Sequence, residues 1–336
     1  MAIPDVGQDP SMQTALATKM QAVLDQPMSD ISTKLVNKDY EGDFFKIGDS
    51  VAIVKPVPES INVEIGELDT GTVLGTNNAG RAGAPKDNRL AVSEASFTKS
   101  VLNIDKYAKY GFILSDITKA EGKWNYESGN LDLAAQEIRK MHNLITAGAV
   151  ANDANVPRIG TPAAPIELAT ADELYEKILV PMHSKLYSAG AITADGQVTY
   201  GSNAQEGKST TGAIYLPVEA YNCFLTSKYF TDRATTAADN KVETGNVAKV
   251  LGLEVGVEPA LSQAAKRHIT VTGLADGTMV VIAGTSNCVT RANKVLPPDS
   301  FRSQTRFGTE FHGLEIFGEK VFTPEAAVVA FIKLPA

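Results

Sequence analysis

The longest regular pattern in the sequence runs from Asn130 to Asp153 and has the spacing of an amphipathic helix. Apolar residues recur there at intervals of three and four: Leu131, Ala134, Ile138, Met141, Ile145 and Ala149. The residues between them predict a solvated face: Gln136, Glu137, Arg139, Lys140 and Asn143. Asn130 is expected to cap the N-terminus. Because the flanking segments have strand-like patterns, we predict a long spine helix with strands laid against it.

Composition limits the class of protein. A chain of 336 residues can bury a large core in one elaborate domain or two, and 43% hydrophobic with 21% charged residues is typical of a soluble globular protein. No apolar run approaches the roughly 18 residues of a membrane span, and the N-terminal residues lack the pattern of a secretory signal. Cys223 and Cys288 lie far apart, which argues against a disulfide framework or zinc site and favours a reducing compartment. The net charge of −8 makes strong binding to nucleic-acid phosphates an unfavoured function, with a local basic patch left open.

Two segments before the spine helix have the character of arms. Residues 11–26 have one apolar helical stripe and end at Pro27, so this helix needs a surface to lie on. Its own domain and a neighbouring subunit are both open as that surface. Residues 41–105 have strand-like ends and a polar, glycine-rich centre, which predicts a long hairpin. A two-stranded ribbon is marginal alone in water, so we interpret this hairpin as an intermolecular arm.

The rest of the chain mixes strands and helices. Residues 106–126 lead through a strand into the spine helix, and their acidic residues offset the lysines, which favours packing over nucleic-acid stacking. After the helix, the pattern predicts a boundary connector at 152–170, a helix at 171–190 closed by Gly190, a strand at 212–217, a helix at 217–230, a hairpin around Gly252, strands at 268–272 and 279–283, and late strands within 309–334. The late strands are expected to complete the sheet beside the spine helix, around a compact α/β or α+β domain inserted between 171 and 296.

No pattern of catalytic or metal-binding residues emerges. Gly207-Lys208-Ser209 has the ending of a phosphate-binding loop, but five residues rather than four separate Gly201 from Gly207, and a strand-like segment follows where a helix is needed. The histidines lack the spacing of a helical zinc site: His142, His183, His268 and His312. We therefore expect no catalytic site, no cofactor and no metal, and an enzymatic function is unsupported.

Four segments resemble the major capsid proteins of tailed bacteriophages. They are KLVNKDYEGDFFKIGDSVAIVKP (34–56), LNIDKYAKYGFILSDITKA (102–120), PVEAY (217–221) and GEKVFTPEAAVV (318–329). Their order, more than any single one, carries the resemblance, which covers roughly residues 34–334. It implies the Hong Kong ninety-seven fold, an α+β capsid fold with an N-terminal arm (1–40), an extended β-hairpin loop (41–105), a peripheral domain with the long spine helix (106–165 and 300–336) and an axial domain (166–299).

The resemblance also implies a function by assembly. Subunits would form hexamers and pentamers that close into an icosahedral shell around double-stranded DNA, within a virion assembled in the host bacterial cytoplasm. The hairpin of one subunit would lie over its neighbour. Implied partners are further copies of the chain, a portal, a separate scaffolding protein and decoration proteins, with weak, non-specific DNA contact and no membrane. No charged, heptad-like segment precedes residue 34, so a fused scaffold is not expected.

Two other functions compete with this interpretation. An encapsulin-like cargo compartment shares the same fold and would be distinguished by a copurifying cargo enzyme. A nucleotide-binding enzyme would depend on Gly207, Lys208 and Ser209 alone.

Overall fold

The computed structural model describes residues 10–24, 30–38, 40–56, 64–66, 73–75, 97–116, 126–198, 211–231, 249–303 and 307–334. The helices are α1 (Pro10–Leu24), α2 (Ile31–Lys34), α3 (Tyr126–Asn152), α4 (Ala171–Leu174), a π-helical turn (Tyr175–Leu179), α5 (Val180–Ser188), α6 (Val218–Leu225) and α7 (Lys228–Thr231), with 3-10 turns at Pro259–Leu261 and Pro324–Ala326. The strands are β1 (Val36–Asn37), β2 (Tyr40–Glu41), β3 (Ser50–Pro56), β4 (Glu64–Gly66), β5 (Val73–Gly75), β6 (Phe97–Asn103), β7 (Lys106–Ser115), β8 (Arg158–Ile159), β9 (Ile166–Glu167), β10 (Ala213–Leu216), β11 (Lys249–Val250), β12 (Leu253–Val257), β13 (Met279–Gly284), β14 (Val289–Val295), β15 (Asp299–Arg302), β16 (Gly308–Val321) and β17 (Ala327–Lys333).

A five-stranded sheet is built around β16, the longest strand. β7 pairs along one edge of β16, and β14 and β15 share the other edge, with β1 beyond β14. Because side chains alternate across a strand, Glu315 and Glu319 point to one face and Ile316 to the other. The spine helix α3 and α1 cover the first face, where Val295 of β14 is buried against them. Strands β3 and β6 cover part of the second face, which we call the outer face.

A seven-stranded sheet forms the second core, in the order β11-β12-β10-β13-β17-β8 with β9 also on β17. β17 pairs antiparallel with β13, and its first six residues are all buried. The prediction that the late strands complete one sheet beside the spine helix is therefore wrong for β17, which joins the seven-stranded sheet and not that of β16. An unbroken apolar strand needs cover on both faces, which the interior of this sheet supplies. β14 lies within 166–299, the range predicted for the axial domain, but it pairs with β16 of the five-stranded sheet.

The spine helix runs along both sheets. Its N-terminal half packs on α1 and the five-stranded sheet through Leu131 and Ile138, and Val150 lies in the core of the seven-stranded sheet. The helix begins at Tyr126, so the prediction that Asn130 caps it is wrong. The predicted stripe is wrong at Met141, which is 39% exposed.

The predicted solvated face of the helix is wrong at two positions, Arg139 and Asn143, which are both buried. The helix packs against α1, α2 and two sheets, so its buried surface is wider than one apolar stripe. Polar residues on that wider surface need partners inside the fold, and they find them there.

The second helical segment has the predicted extent, and Gly190 follows it with φ +68°. The sequence pattern did not indicate the π-helical turn before Pro181. Proline has no amide hydrogen for a helical bond, and a wider turn accommodates that gap.

The hairpin around Gly252 is confirmed by the antiparallel pairing of β11 with β12. Two other local predictions are wrong. The predicted connector at 152–170 is wrong at two places, where the short strands β8 and β9 pair with β17. Residues 268–272 form no strand, because the Ile269 amide donates instead to the Ala260 carbonyl oxygen.

Candidate assembly elements

The N-terminal arm lies on its own chain. Ala17 and Met20 of α1 are buried against Leu131, Ala135 and Ile138 of the spine helix. The Gln21 side-chain oxygen accepts a hydrogen bond of 3.1 Å from the Val295 amide, which ties α1 to β14 as well. Of the two open surfaces for this helix, the structure therefore gives it the one on its own domain.

The short helix α2 anchors the next part of the arm through polar contacts. The Ser32 amide donates to the Asn143 side-chain oxygen over 2.9 Å, and the Asn143 amide nitrogen donates to the Glu258 carboxylate over 3.1 Å. Lys34 pairs with Glu254 of β12 at 2.5 Å. Burial raises the pKa of the Glu258 carboxyl. These bonds fasten the arm to the spine helix and to the seven-stranded sheet together.

The ends of the predicted hairpin form a base that is held in place. β3 and β6 pair antiparallel along their whole length, and β2 adds a third strand. We call these three strands the ribbon base. Its buried side chains Val51, Ile53 and Leu102 pack against Ala292 and Ile316 on the outer face of the five-stranded sheet. Between Pro56 and Phe97 the structure describes the antiparallel pair β4–β5, and the remaining hairpin residues lie outside the described ranges.

Among the described residues, the ribbon base covers one half of the outer face, and the side chains of the far half are exposed. We call this surface the uncovered half and define it by Tyr107, Lys109, Gly111, Phe301 and His312, which are all exposed. The register places them on one side, since Tyr107 lies opposite Ile316 and Phe301 stacks on His312 with ring centroids 4.9 Å apart. Two aromatic rings about half exposed on a pleated sheet form a surface suited to covering by another chain segment.

A cluster of buried polar side chains joins the spine helix to the other face of this sheet. We call it the polar seam, and its members are His142, Thr146, Arg291, Asn293, Glu315 and Glu319. Arg291 Nε donates to the Glu319 carboxylate over 2.7 Å, and the Arg291 guanidinium also donates to the Thr146 hydroxyl over 2.6 Å. The Thr146 hydroxyl in turn lies 2.7 Å from the same Glu319 oxygen and 2.8 Å from the His142 carbonyl oxygen, and its one hydrogen can be donated to either acceptor. These three side chains form a closed triangle, with the guanidinium and carboxylate 4% and 1% exposed.

The second half of the polar seam is centred on Glu315, which is fully buried. The Asn293 side chain donates to one Glu315 oxygen over 2.9 Å. His142 Nε2 lies 3.2 Å from the other oxygen, in a direction that makes no hydrogen bond. The His142 ring also meets the Phe317 ring edge-on at 4.8 Å. A buried carboxylate is therefore held next to a histidine and an amide, on the underside of the spine helix.

The residues singled out in the sequence do not come together as a site. Gly207, Lys208 and Ser209 lie outside the described residues. His268 and His312 are exposed, and His183 lies on α5, far along the chain from His142. Cys223 and Cys288 are free thiols, and burial raises the pKa of both.

Two further features concern the residues that the structure describes. Among those residues, no three histidine, cysteine or acidic side chains are grouped closely enough to hold a metal ion. None of the helices there combines the length and the apolar character needed to cross a membrane.

Sequence reasoning did not find the polar seam. Glu315 and Glu319 are four residues apart and share one face of β16, a pattern that is also typical of a solvent-facing strand surface. Only the pairing of β14 with β16 beneath the helix reveals that these side chains are buried together.

The protonation of Tyr110 gives a test of packing beside the polar seam. Burial raises its pKa to about 12, and the Glu315 carboxylate acts in the same direction. Above pH ~10 the unfolded chain loses this proton while the folded chain keeps it, so stability falls as pH rises from about 10 to about 12. We expect Tyr110→Phe to remove about 1 kcal/mol of that loss, a value reduced for the solvent screening of a half-buried group. Urea denaturation at several pH values across this range measures the difference between the two proteins. If the free energy of unfolding falls equally with pH in both, the raised pKa of Tyr110 is contradicted.

Comparisons with known proteins agree with the architecture. No protein-family model and no curated protein matches the sequence. Among solved structures, the capsid of cyanophage P-SCSP1u superposes with a TM-score of 0.54 at 12% identity, over 92% of this chain and 89% of that one. The capsid of Ralstonia phage GP4 gives 0.53 at 11% identity over 93% of both chains, and Mycobacterium phage Che8 gives 0.51 at 15% over 84% of both.

Identities this low carry information on the fold, and the coverage shows that the likeness extends over nearly the whole chain. The order of arm, ribbon base, spine helix, inserted sheet and returning strands is the order that the sequence motifs implied. The chain has the α+β Hong Kong ninety-seven fold of phage capsid proteins.

Proposed function

We propose that this protein is the major capsid protein of a tailed phage and assembles through hexamers and pentamers into an icosahedral shell around double-stranded DNA. The observation that carries the proposal is the uncovered half of the outer face. Its aromatic side chains lie on the sheet that the chain's own ribbon base already partly covers. A second copy has a ribbon of the same kind to place there.

Placing a neighbour's ribbon on the uncovered half would stabilise both surfaces. The hairpin gains the surface that an isolated two-stranded ribbon needs, and Tyr107 and Phe301 lose their exposure to water. The contact joins unlike surfaces of the two copies, so repetition of it closes a ring rather than a dimer. Each subunit makes several such contacts, and the shell gains its stability from their number.

The remaining partners and divisions belong to the same proposal. A portal, a separate scaffolding protein and decoration proteins would complete the virion, which would assemble in the host cytoplasm. The net charge of −8 suits a wall that contacts packaged DNA weakly and without sequence preference. The four-part domain division is retained as a proposal, with β14 assigned to the peripheral domain and β17 to the axial domain on the basis of their pairing. No catalytic activity is part of this function.

Assembly is tested directly by sedimentation and negative-stain electron microscopy of the recombinant full chain. We expect the wild-type protein to form uniform shells or hexamer and pentamer rings. Tyr107→Glu places a charge on a side chain that is 52% exposed in the subunit, so folding is retained while the covered contact is lost. The expected result is a shift from shells to free subunits.

Tyr107→Phe is the matched control, because it keeps the ring and removes only the hydroxyl, and it should assemble as the wild type does. Shells formed equally well by Tyr107→Glu would contradict the placement of the contact. Wild-type protein that stays monomeric at high concentration with crowding agent would contradict self-assembly itself.

A further inference from the structure

The polar seam is an unusual way to attach a helix to a sheet. Apolar side chains hold the spine helix toward both of its ends, such as Leu131 and Ile138 on α1 and Val150 in the seven-stranded core. Asn143 adds hydrogen bonds to the arm and to Glu258. Between those contacts lies a fully enclosed guanidinium–carboxylate pair with a threonine hydroxyl bound to both ions. Burying these ions is costly, and an apolar substitute of the same volume is often equally stable. The polar seam therefore calls for a role other than stability.

Hydrogen bonds depend on distance and angle, so they restrict the position and orientation of a helix more than apolar packing does. An apolar interface tolerates a small slide or rotation of a helix, whereas a bond of 2.6 to 2.7 Å is lost when its atoms move apart by a fraction of an ångström. The Thr146 hydroxyl is the link, since it accepts from Arg291 of β14 and lies within donating distance of Glu319 of β16, as well as of the His142 carbonyl oxygen of its own helix. The hydroxyl therefore ties the helix to two strands at once.

The helix contacts the same strand at a second point, through packing and without a hydrogen bond. His142 lies one helical turn before Thr146, about 6 Å along the axis, and faces Glu315. Glu315 and Glu319 are about 13 Å apart along β16, so the two helix residues meet two separated points on the strand. The hydrogen bonds at Thr146 hold the helix at one of these points, and the packing of His142 on Glu315 limits its rotation about that point.

The position of the spine helix also sets the position of the other sheet. Beyond the polar seam, Ala147, Val150 and Ala151 of the same helix are fully buried in the core of the seven-stranded sheet. A rotation of the helix on the first sheet would therefore be passed to the second sheet. The angle between the two sheets is a property of the subunit that a closed shell would convert into curvature.

We propose that Thr146 is a positioning residue which, through Arg291 and Glu319, sets the angle between the two sheets and thereby a single shell diameter. The inference rests on the proposed function as a shell subunit. Thr146 touches no neighbouring copy in this role, since it is fully buried within its own chain. It determines which assembly forms without being required for the subunit to fold.

The test compares Thr146→Val with Thr146→Ser. Valine keeps the volume and removes the hydroxyl, while serine keeps the hydroxyl at the same place. We expect wild-type and serine shells to share one diameter in electron micrographs. Valine shells should lose that single diameter and populate several, with chemical denaturation showing that all three proteins remain folded.

A second variant guards against a valine protein that does not fold. Arg291→Met, Glu319→Met and Thr146→Val combined replaces the whole triangle by apolar side chains, leaves no ion unpaired, and should also give mixed diameters. Valine and triple-variant shells with the same single diameter as wild type would overturn the inference while leaving the proposed function intact.

Failure of the proposed function has a different signature, because the wild-type protein would then form no shells and the inference about diameter would fall with it. Amide hydrogen exchange in the spine helix supplies an independent measurement on the full chain. We expect faster exchange around Thr146 in the valine variant than in the serine variant, and equal rates would overturn the positioning role.

Discussion

Replacing Arg291 alone by methionine is expected to lower the free energy of unfolding by about 3–5 kcal/mol. The substitution removes the guanidinium and leaves the Glu319 carboxylate enclosed, with only the Thr146 hydroxyl still donating to it. Water cannot replace the lost partner at a side chain that is 1% exposed. The expected loss comes mainly from this unpaired buried charge, since methionine fills much of the space that the arginine side chain occupies.

Arg302→Met is the matched control, because it removes an arginine from a neighbouring strand of the same sheet. Arg302 donates two hydrogen bonds to Asp116, but both side chains are largely exposed and water can replace the pair. We expect a loss of less than about 1 kcal/mol. Chemical denaturation of the purified full-length proteins measures both values, and equal losses would show that burial does not distinguish the two pairs. Arg291→Met combined with Glu319→Met should recover most of the stability.

The elements visible in the sequence are those set by local pattern. The spine helix, the ribbon strands and the helix that ends at Gly190 each follow from spacing within one segment. Their order along the chain, together with the four motifs, was enough to indicate the fold. What the local pattern did not give is which side chains end up beneath the helix, because that depends on strands far away in the chain. Arg291 and Glu319 meet Thr146 across more than 140 residues of sequence.

The assignment of β17 failed for a related reason. An apolar strand has the same sequence pattern whether it joins the five-stranded sheet of β16 or the seven-stranded sheet. Only pairing with β13 distinguishes the two, and the chain reaches it directly after β16, through the 3-10 turn at Pro324–Ala326. Sequence proximity favoured one sheet, and burial on both faces favoured the other. β14, whose sequence is mixed polar and apolar, lies within 166–299 but pairs with β16, a contact that its local pattern does not indicate.

Gly318→Ala is expected to destabilise the protein by about 3 kcal/mol, the upper end of the usual range for an overpacked site. A Cβ atom at Gly318 would lie 2.2 Å from the carbonyl oxygen of Asn103. That oxygen belongs to the backbone where β6 leaves the ribbon base, so it has no flexible side chain to move aside. Relief would require separating the ribbon base from β16 and loosening the packing of Ile104 and Ile316.

Gly148→Ala is the control for this substitution. Gly148 lies inside the spine helix with open space where a Cβ atom would stand, so alanine should stabilise the helix by up to about 1 kcal/mol. The two substitutions add the same methyl group, and chemical denaturation is expected to show changes of opposite sign in the free energy of unfolding. A loss at Gly318 no larger than about 0.5 kcal/mol, the scale of an unremarkable surface substitution, would mean that the ribbon base moves away from β16 at little cost. Since the proposed assembly uses this base to aim the ribbon at a neighbour, a loose attachment there would also weaken the proposed contact.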